Sequence, residues 1–262
     1  MGGWKTFLGP TPLFQGIYVQ DRITLITNGD TFVKINNFTF ASGLLVDRHF
    51  FSYASFGDSM LGLAPSSSSS IPELMPFPVE LHRRKLIQDP ILTMAQNNDS
   101  LFFGGFDGDS CNFHTYRSAK IIEEGKWKIR LEEISVPHLE MRVINATVIF
   151  EPHFTGIGIP QIWVQRLLDS GKIVYINGKY RRPCNDTFEF KFYLQRQEYS
   201  FNWKTLPFDD DCILHGFIPM NTPYTDTNQW IFGAKVIENV CVILDYEEET
   251  IGFAKFLYNK WF

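Results

Sequence analysis

Glu151 and His153 stand two residues apart, a carboxylate and an imidazole that could exchange a proton or hold a metal ion together with His138 or His49. On a strand, side chains at i and i+2 share a face, so the pair could meet there. No third ligand lies at a helpful spacing, and the plainer expectation is a relaxed loop of solvated polar groups. Asp209, Asp210 and Asp211, with Asp186, offer oxygen ligands for calcium, yet the spacing of an EF-hand is missing and a charged surface loop is expected instead. The chain has no Gly-x-Ser-x-Gly, so a serine nucleophile finds no support. Its four cysteines, Cys111, Cys184, Cys212 and Cys241, contain no Cys-x-x-Cys, which argues against a zinc site or a thioredoxin-type pair. Buried thiols or two disulfides remain, with three connectivities open. No metal and no cofactor is expected.

The elements that would position these groups are mostly strands. Ile23 to Thr27 and Thr31 to Ile35 alternate apolar and polar residues around Asn28-Gly29-Asp30, a hairpin signature. Similar runs cover Trp127 to Val136, Phe188 to Leu194 and Val240 to Asp245. Only Val79 to Ile87 and Gln161 to Leu168 have a helical pattern. Pro160 suits the first turn of the second helix, where its missing N–H would have no partner anyway. Arg83, Arg84 and Lys85 form a cationic strip that is expected to be a solvated face. Ser66 to Ser70 is expected to be a surface loop.

A length of 262 residues suits one large domain or two lobes, and 16% aromatic residues against 20% charged ones mark a globular chain. A net charge of -5 with mixed signs excludes a partner read through its phosphate backbone, so no nucleic acid is expected. No apolar run reaches the roughly 20 residues of a membrane span, and the segment after Met1 lacks the pattern of a signal peptide. Asn-x-Ser/Thr sequons begin at Asn37, Asn98, Asn145 and Asn185, candidate glycosylation sites that hint at an exported ancestor. The two sets of observations divide on the compartment.

Several ordered segments resemble the pepsin-like aspartic proteases, the peptidase A1 family. Phe14 to Ile23 is similar to the strand after the family's flap, and Gly57-Asp58-Ser59-Met60-Leu61-Gly62-Leu63-Ala64 to its Asp-Gly-Ile-Leu-Gly-Leu-Ala/Gly segment. Leu101-Phe102-Phe103-Gly104-Gly105-Phe106-Asp107 matches Leu-x-Phe-Gly-Gly-x-Asp, and Trp127-Lys128-Ile129 stands where the second lobe opens. Tyr175 to Cys184 resembles the Gly-x-Tyr-x-x-x-Cys stretch. Trp230-Ile231-Phe232-Gly233-Ala234-Lys235-Val236, Asp245-Tyr246 and Ile251-Gly252-Phe253-Ala254 are close to the closing strands. The set spans nearly the whole chain.

The resemblance implies a mainly β, bilobal acid-protease fold, with an N-terminal lobe over 1–112 that is incomplete and a C-terminal lobe over 113–262. Family chemistry needs two carboxylates sharing one proton, each from an Asp-Thr-Gly loop, because two charges so close cannot both persist. The second loop falls on Glu151-Pro152-His153-Phe154-Thr155. Glu151 would put its carboxylate about 1 Å out of place, where such an error can cost about 100-fold. Pro152 removes a hydroxyl and an N–H, and His153 puts an imidazole where a hydrogen atom was. Asp-Thr-Gly itself occurs nowhere in the chain. Met1 aligns near the flap, beyond the place of the first motif. Trp4 to Pro12 lacks a Tyr-Gly-x-Gly pattern, and Ala234 replaces an acid that often follows the closing Gly.

The expected protein is therefore a catalytically inactive relative that keeps binding of an extended peptide or protein segment between its lobes. The alternatives are an active endopeptidase, if the chain is an incomplete record, and a decayed relative without a stable two-lobed fold. The family implies a secreted or lysosomal protein. It also implies a Cys184–Cys212 disulfide. Cys111 and Cys241 would then form a second pair, although the sequence does not choose among the connectivities.

Overall fold

The computed structural model describes residues 3–8, 11–26, 32–46, 61–66, 75–96, 100–183, 188–203, 205–208, 211–214, 216–220 and 228–257. The chain is mainly β, consistent with a pepsin-like β fold, and divides into two compact units, Met1–Leu63 with Ser69–Met75 and Ala64–Ser68 with Pro76–Phe262. Strands Ile91–Ala95 and Ser100–Phe103 share a sheet with the chain's last strands.

The first unit holds an antiparallel meander of Gly3–Leu8, Thr11–Ile26 and Phe32–Val46. The two long strands pair from Phe14↔Val46 to Ile26↔Phe32, as the period-two pattern requires. Between Asp21↔Phe38 and Ile23↔Ile35, Arg22 faces both Asn36 and Asn37, a bulge in which Asn37 takes a left-handed φ of 52°. The turn expected at Asn28-Gly29 lies outside the described residues, as do Ser67 to Ser70.

In the second unit the first helix runs Phe77–Arg83 rather than Val79 to Ile87. It begins early because Pro76 and Pro78 suit a helix start, and it ends where Lys85 turns to φ 59° and the Leu86 N–H bonds back to Leu81 O. Its cationic strip is partly neutralised. Glu80 accepts bonds from Arg83 at 2.7 Å and Arg84 at 2.5 Å, and the Arg83 bond heads the causes that hold the Glu80 carboxyl below its ordinary range. The helix Gln161–Asp169 starts where expected. Pro160, however, precedes its first turn, closing strand Ile157–Pro160 with ψ at 135°.

The run from Trp127 to Val136 is two strands, Lys128–Arg130 and Glu133–Val136, not one. At Leu131 and Glu132 the chain crosses from one sheet to another, the Leu131 N–H bonding Ala146 O and the Glu132 N–H bonding Tyr193 O. Four sheets result. Two have five strands, in the orders Ser100–Phe103, Ile91–Ala95, Cys241–Asp245, Thr250–Ala254, Arg117–Lys120 and Phe217–Met220, Ile157–Pro160, Gln229–Phe232, Thr147–Phe150, Lys128–Arg130. Two have four, one of them joining Gln197–Trp203, Phe188–Leu194, Glu133–Val136 and Met141–Ile144.

An aromatic core ties these layers together. Phe190, Phe192, Tyr199, Trp230, Phe232 and Phe253 are all fully buried. Phe192 meets Phe232 at 5.1 Å and Phe253 at 5.0 Å between ring centroids, both edge-to-face, the arrangement that aromatic quadrupoles favour. The Tyr199 hydroxyl donates toward Thr115 O at 2.7 Å and Phe253 O at 2.9 Å, and burial pushes its pKa well up. Cys111 and Cys241, both buried, form a disulfide across a sequence separation of 130.

Candidate functional site

Strand Thr147–Phe150 runs parallel to Gln229–Phe232, with Phe150 level with Phe232, and Ile157–Pro160 returns antiparallel on the other side of Gln229–Phe232. Residues 151–156 must therefore cross over the end of the strand Gln229–Phe232. The Glu151 N–H bonds Phe232 O at 2.9 Å, the Phe154 N–H closes a turn on Glu151 O at 2.9 Å, and the Ala234 N–H reaches Phe154 O at 2.7 Å. The loop is thus pinned to the strand it crosses at both ends.

Three glycines make that crossing possible. A Cβ on Gly233 would lie 2.0 Å from Phe154 O, and one on Gly156 would lie 2.2 Å from Gly216 O. Gly216 itself has φ +79°, a left-handed value that favours glycine. The Gly233 N–H donates to Gly156 O and the Ile157 N–H to Gly216 O, so the close approach is also a hydrogen-bonded one. Gly233 belongs to the closing motif. Gly156 and Gly216 were invisible in the sequence, because only folding brings their segments together.

The side chains on this cradle are more open than its backbone. Glu151 Oε2 lies 3.8 Å from His153 Nε2, with the two side chains 35% and 59% exposed, and Thr155 is exposed. Glu151 and His153 do meet, but through a turn, not through the shared face of a strand as their spacing suggested. An exposed pair at that distance contributes little. Within residues 151–155 Glu151 is the only acid, so the segment supplies one carboxylate of the two that sharing a proton requires.

Next to the cradle, Lys235 is 5% exposed and bonds Glu238 Oε2 at 2.6 Å, a buried cation that its neighbour Ala234 gave no hint of. Asp169-Ser170-Gly171 carries the alternative Asp-Ser-Gly pattern. It ends a helix instead of crossing a strand. Asp169 accepts from Gln165 Nε2 at 2.7 Å, Ser170 is the C-cap, and Gly171 takes φ +68°.

Among the described residues no group of three or more His, Cys, Asp or Glu could hold a metal ion, and no helix is long and apolar enough to cross a membrane. His49, Asn98, Cys184, Asn185, Asp186, Asp209 and Asp210 lie outside the described residues, and so do the side chains of Asp211 and Cys212. Asn37 and Asn145 are exposed.

No curated protein matches the chain. A family model described as eukaryotic aspartyl protease does, over residues 9–256, and that span takes in both the crossing loop and the strand it crosses. On that match, and with a mainly β architecture around it, this chain belongs to the eukaryotic aspartyl protease family.

Proposed function

We propose that this member of the family binds an extended peptide or protein segment without hydrolysing it, in lobes formed by residues 1–112 and 113–262. The observation that carries the reading is the loop Glu151-Pro152-His153, seated where strand Thr147–Phe150 ends against Phe232. A proton-sharing dyad needs a short acid, a backbone N–H and an uncrowded approach. Here a longer acid is followed by a proline, which has no N–H, and then by an exposed imidazole. The Glu151 carboxylate lies 3.8 Å from the His153 imidazole, a base rather than a second acid.

The test is acid proteolysis of an unstructured protein substrate, with and without a transition-state-mimicking inhibitor of aspartic proteases, alongside peptide binding by calorimetry. Binding with no inhibitable cleavage is expected. Inhibitable cleavage that disappears in Glu151→Gln would establish a working endopeptidase and end this reading. A Cys184–Cys212 bridge is part of the same proposal, and peptide mapping without reduction checks it.

A further inference from the structure

One turn in the second unit combines a modification motif with an order of events. Between strands Met141–Ile144 and Thr147–Phe150 stands Asn145, exposed and left-handed at φ 53°, its N–H bonded to Glu132 O at 2.9 Å. Ile144 beside it is 48% exposed, so the turn faces solvent. The next two residues behave differently. Ala146 is fully buried, and Thr147 is 8% exposed with its hydroxyl 3.4 Å from Asn228 O and its N–H on the same oxygen at 3.1 Å. Asn145-Ala146-Thr147 thus has an accessible acceptor amide and, once folded, an inaccessible threonine.

A second feature bears on the compartment. The Cys111–Cys241 bridge is buried at both ends and joins segments 130 residues apart. Its formation takes two electrons and two protons from two thiols, which an oxidised dithiol carrier accepts in the lumen where exported proteins fold. Sequons are modified in exported chains too.

We propose that Asn145 is an N-glycosylation acceptor, modified on the nascent chain before strand Thr147–Phe150 closes, in the oxidising lumen that also forms the Cys111–Cys241 bridge. The donor is a lipid-linked oligosaccharyl diphosphate. Asn145 Nδ2 forms a bond to the anomeric carbon, the bond from that carbon to the diphosphate oxygen breaks, the lipid diphosphate leaves with the electron pair, and the amide loses one proton. The glycan then rests over Ile144 and the turn, outside the core.

The experiment is expression of the full chain behind a cleavable export leader in a glycosylating eukaryotic host, with glycopeptide mass spectrometry before and after glycosidase. Expected are a glycan on the Asn145 peptide, its loss in Asn145→Gln and in the near-isosteric Thr147→Val, and its retention in Thr147→Ser. In parallel, unglycosylated protein that has been refolded and shown to hold the Cys111–Cys241 bridge is incubated with glycosylating microsomal membranes, and it should stay unmodified. An unmodified Asn145 in exported, disulfide-bonded wild type overturns the proposal. Modification of the refolded protein as complete as that of the nascent chain overturns the order of events.

Discussion

The cradle made by Gly156, Gly216 and Gly233 and the loop it holds, residues 151–155, touch each other yet differ in almost every physical respect. The cradle is backbone against backbone, with no room for a methyl group at Gly156 or Gly233, and Phe232 anchors it to the aromatic core. The loop is side chains in or near water, with Glu151 and His153 substantially exposed. Close packing makes the first intolerant of change, while solvation makes the second permissive. A backbone frame of this kind can therefore stay fixed while the residues on its loop change.

That contrast can be broken by substitution. Phe232→Ala removes a fully buried ring that meets Phe190 and Phe192, and should cost about 4 kcal/mol, read as a lowered urea midpoint. Gly233→Ala sets a methyl group against Phe154 O and should cost about 3 kcal/mol by the same measurement. A loss under about 1 kcal/mol would mean that the cradle yields and that the contrast is overstated.

A smaller effect is expected at the edge strand Lys128–Arg130 of the cradle's sheet. Glu123 bonds Lys126 and, at 2.9 Å, Lys128, and these contacts hold its carboxyl at about 2. With a folded pKa below the ordinary 4.5, the stabilisation is complete above about 4.5 and disappears as pH falls through about 2. The side chain is 37% exposed, so screening reduces the contribution to roughly 0.5 kcal/mol. Glu123→Gln should lower thermal stability by that amount at neutral pH and leave it little changed near pH 2, where the wild-type contribution is already gone. Smallest of all, Glu151→Gln and His153→Gly should each move stability by less than about 0.5 kcal/mol, checked by calorimetry. A larger change in either would show the loop to be part of the packed structure after all.

Several strands and one glycine of the cradle were legible in the chain. Alternation located Phe188–Leu194 and Cys241–Asp245 closely, and the closing motif pointed to Phe232 and Gly233, because strand period and turn chemistry are local properties. The alternation slips by one residue at Glu132-Glu133, from apolar Trp127, Ile129 and Leu131 to apolar Ile134 and Val136. It did not reveal that the chain changes sheets there, which partners in two different sheets, Ala146 and Tyr193, decide. Nor did the spacing of Glu151 and His153 reveal how they meet. Two residues apart describes a strand face and a tight turn equally well, and the Phe154 to Glu151 bond decides between them.

The sequence by itself determined which residues follow strand Thr147–Phe150, and so that a long acid, a proline and a histidine occupy the loop. It also set the abundance of aromatic residues that makes a β core of this size feasible. Only the tertiary structure decided that Gly156, Gly216 and Gly233 meet, that Cys111 lies opposite Cys241, and that Thr147 is closed off while Asn145 stays open. Each of these depends on contacts between segments far apart in the chain, and no local pattern of residue types encodes which distant backbone will arrive at a given face.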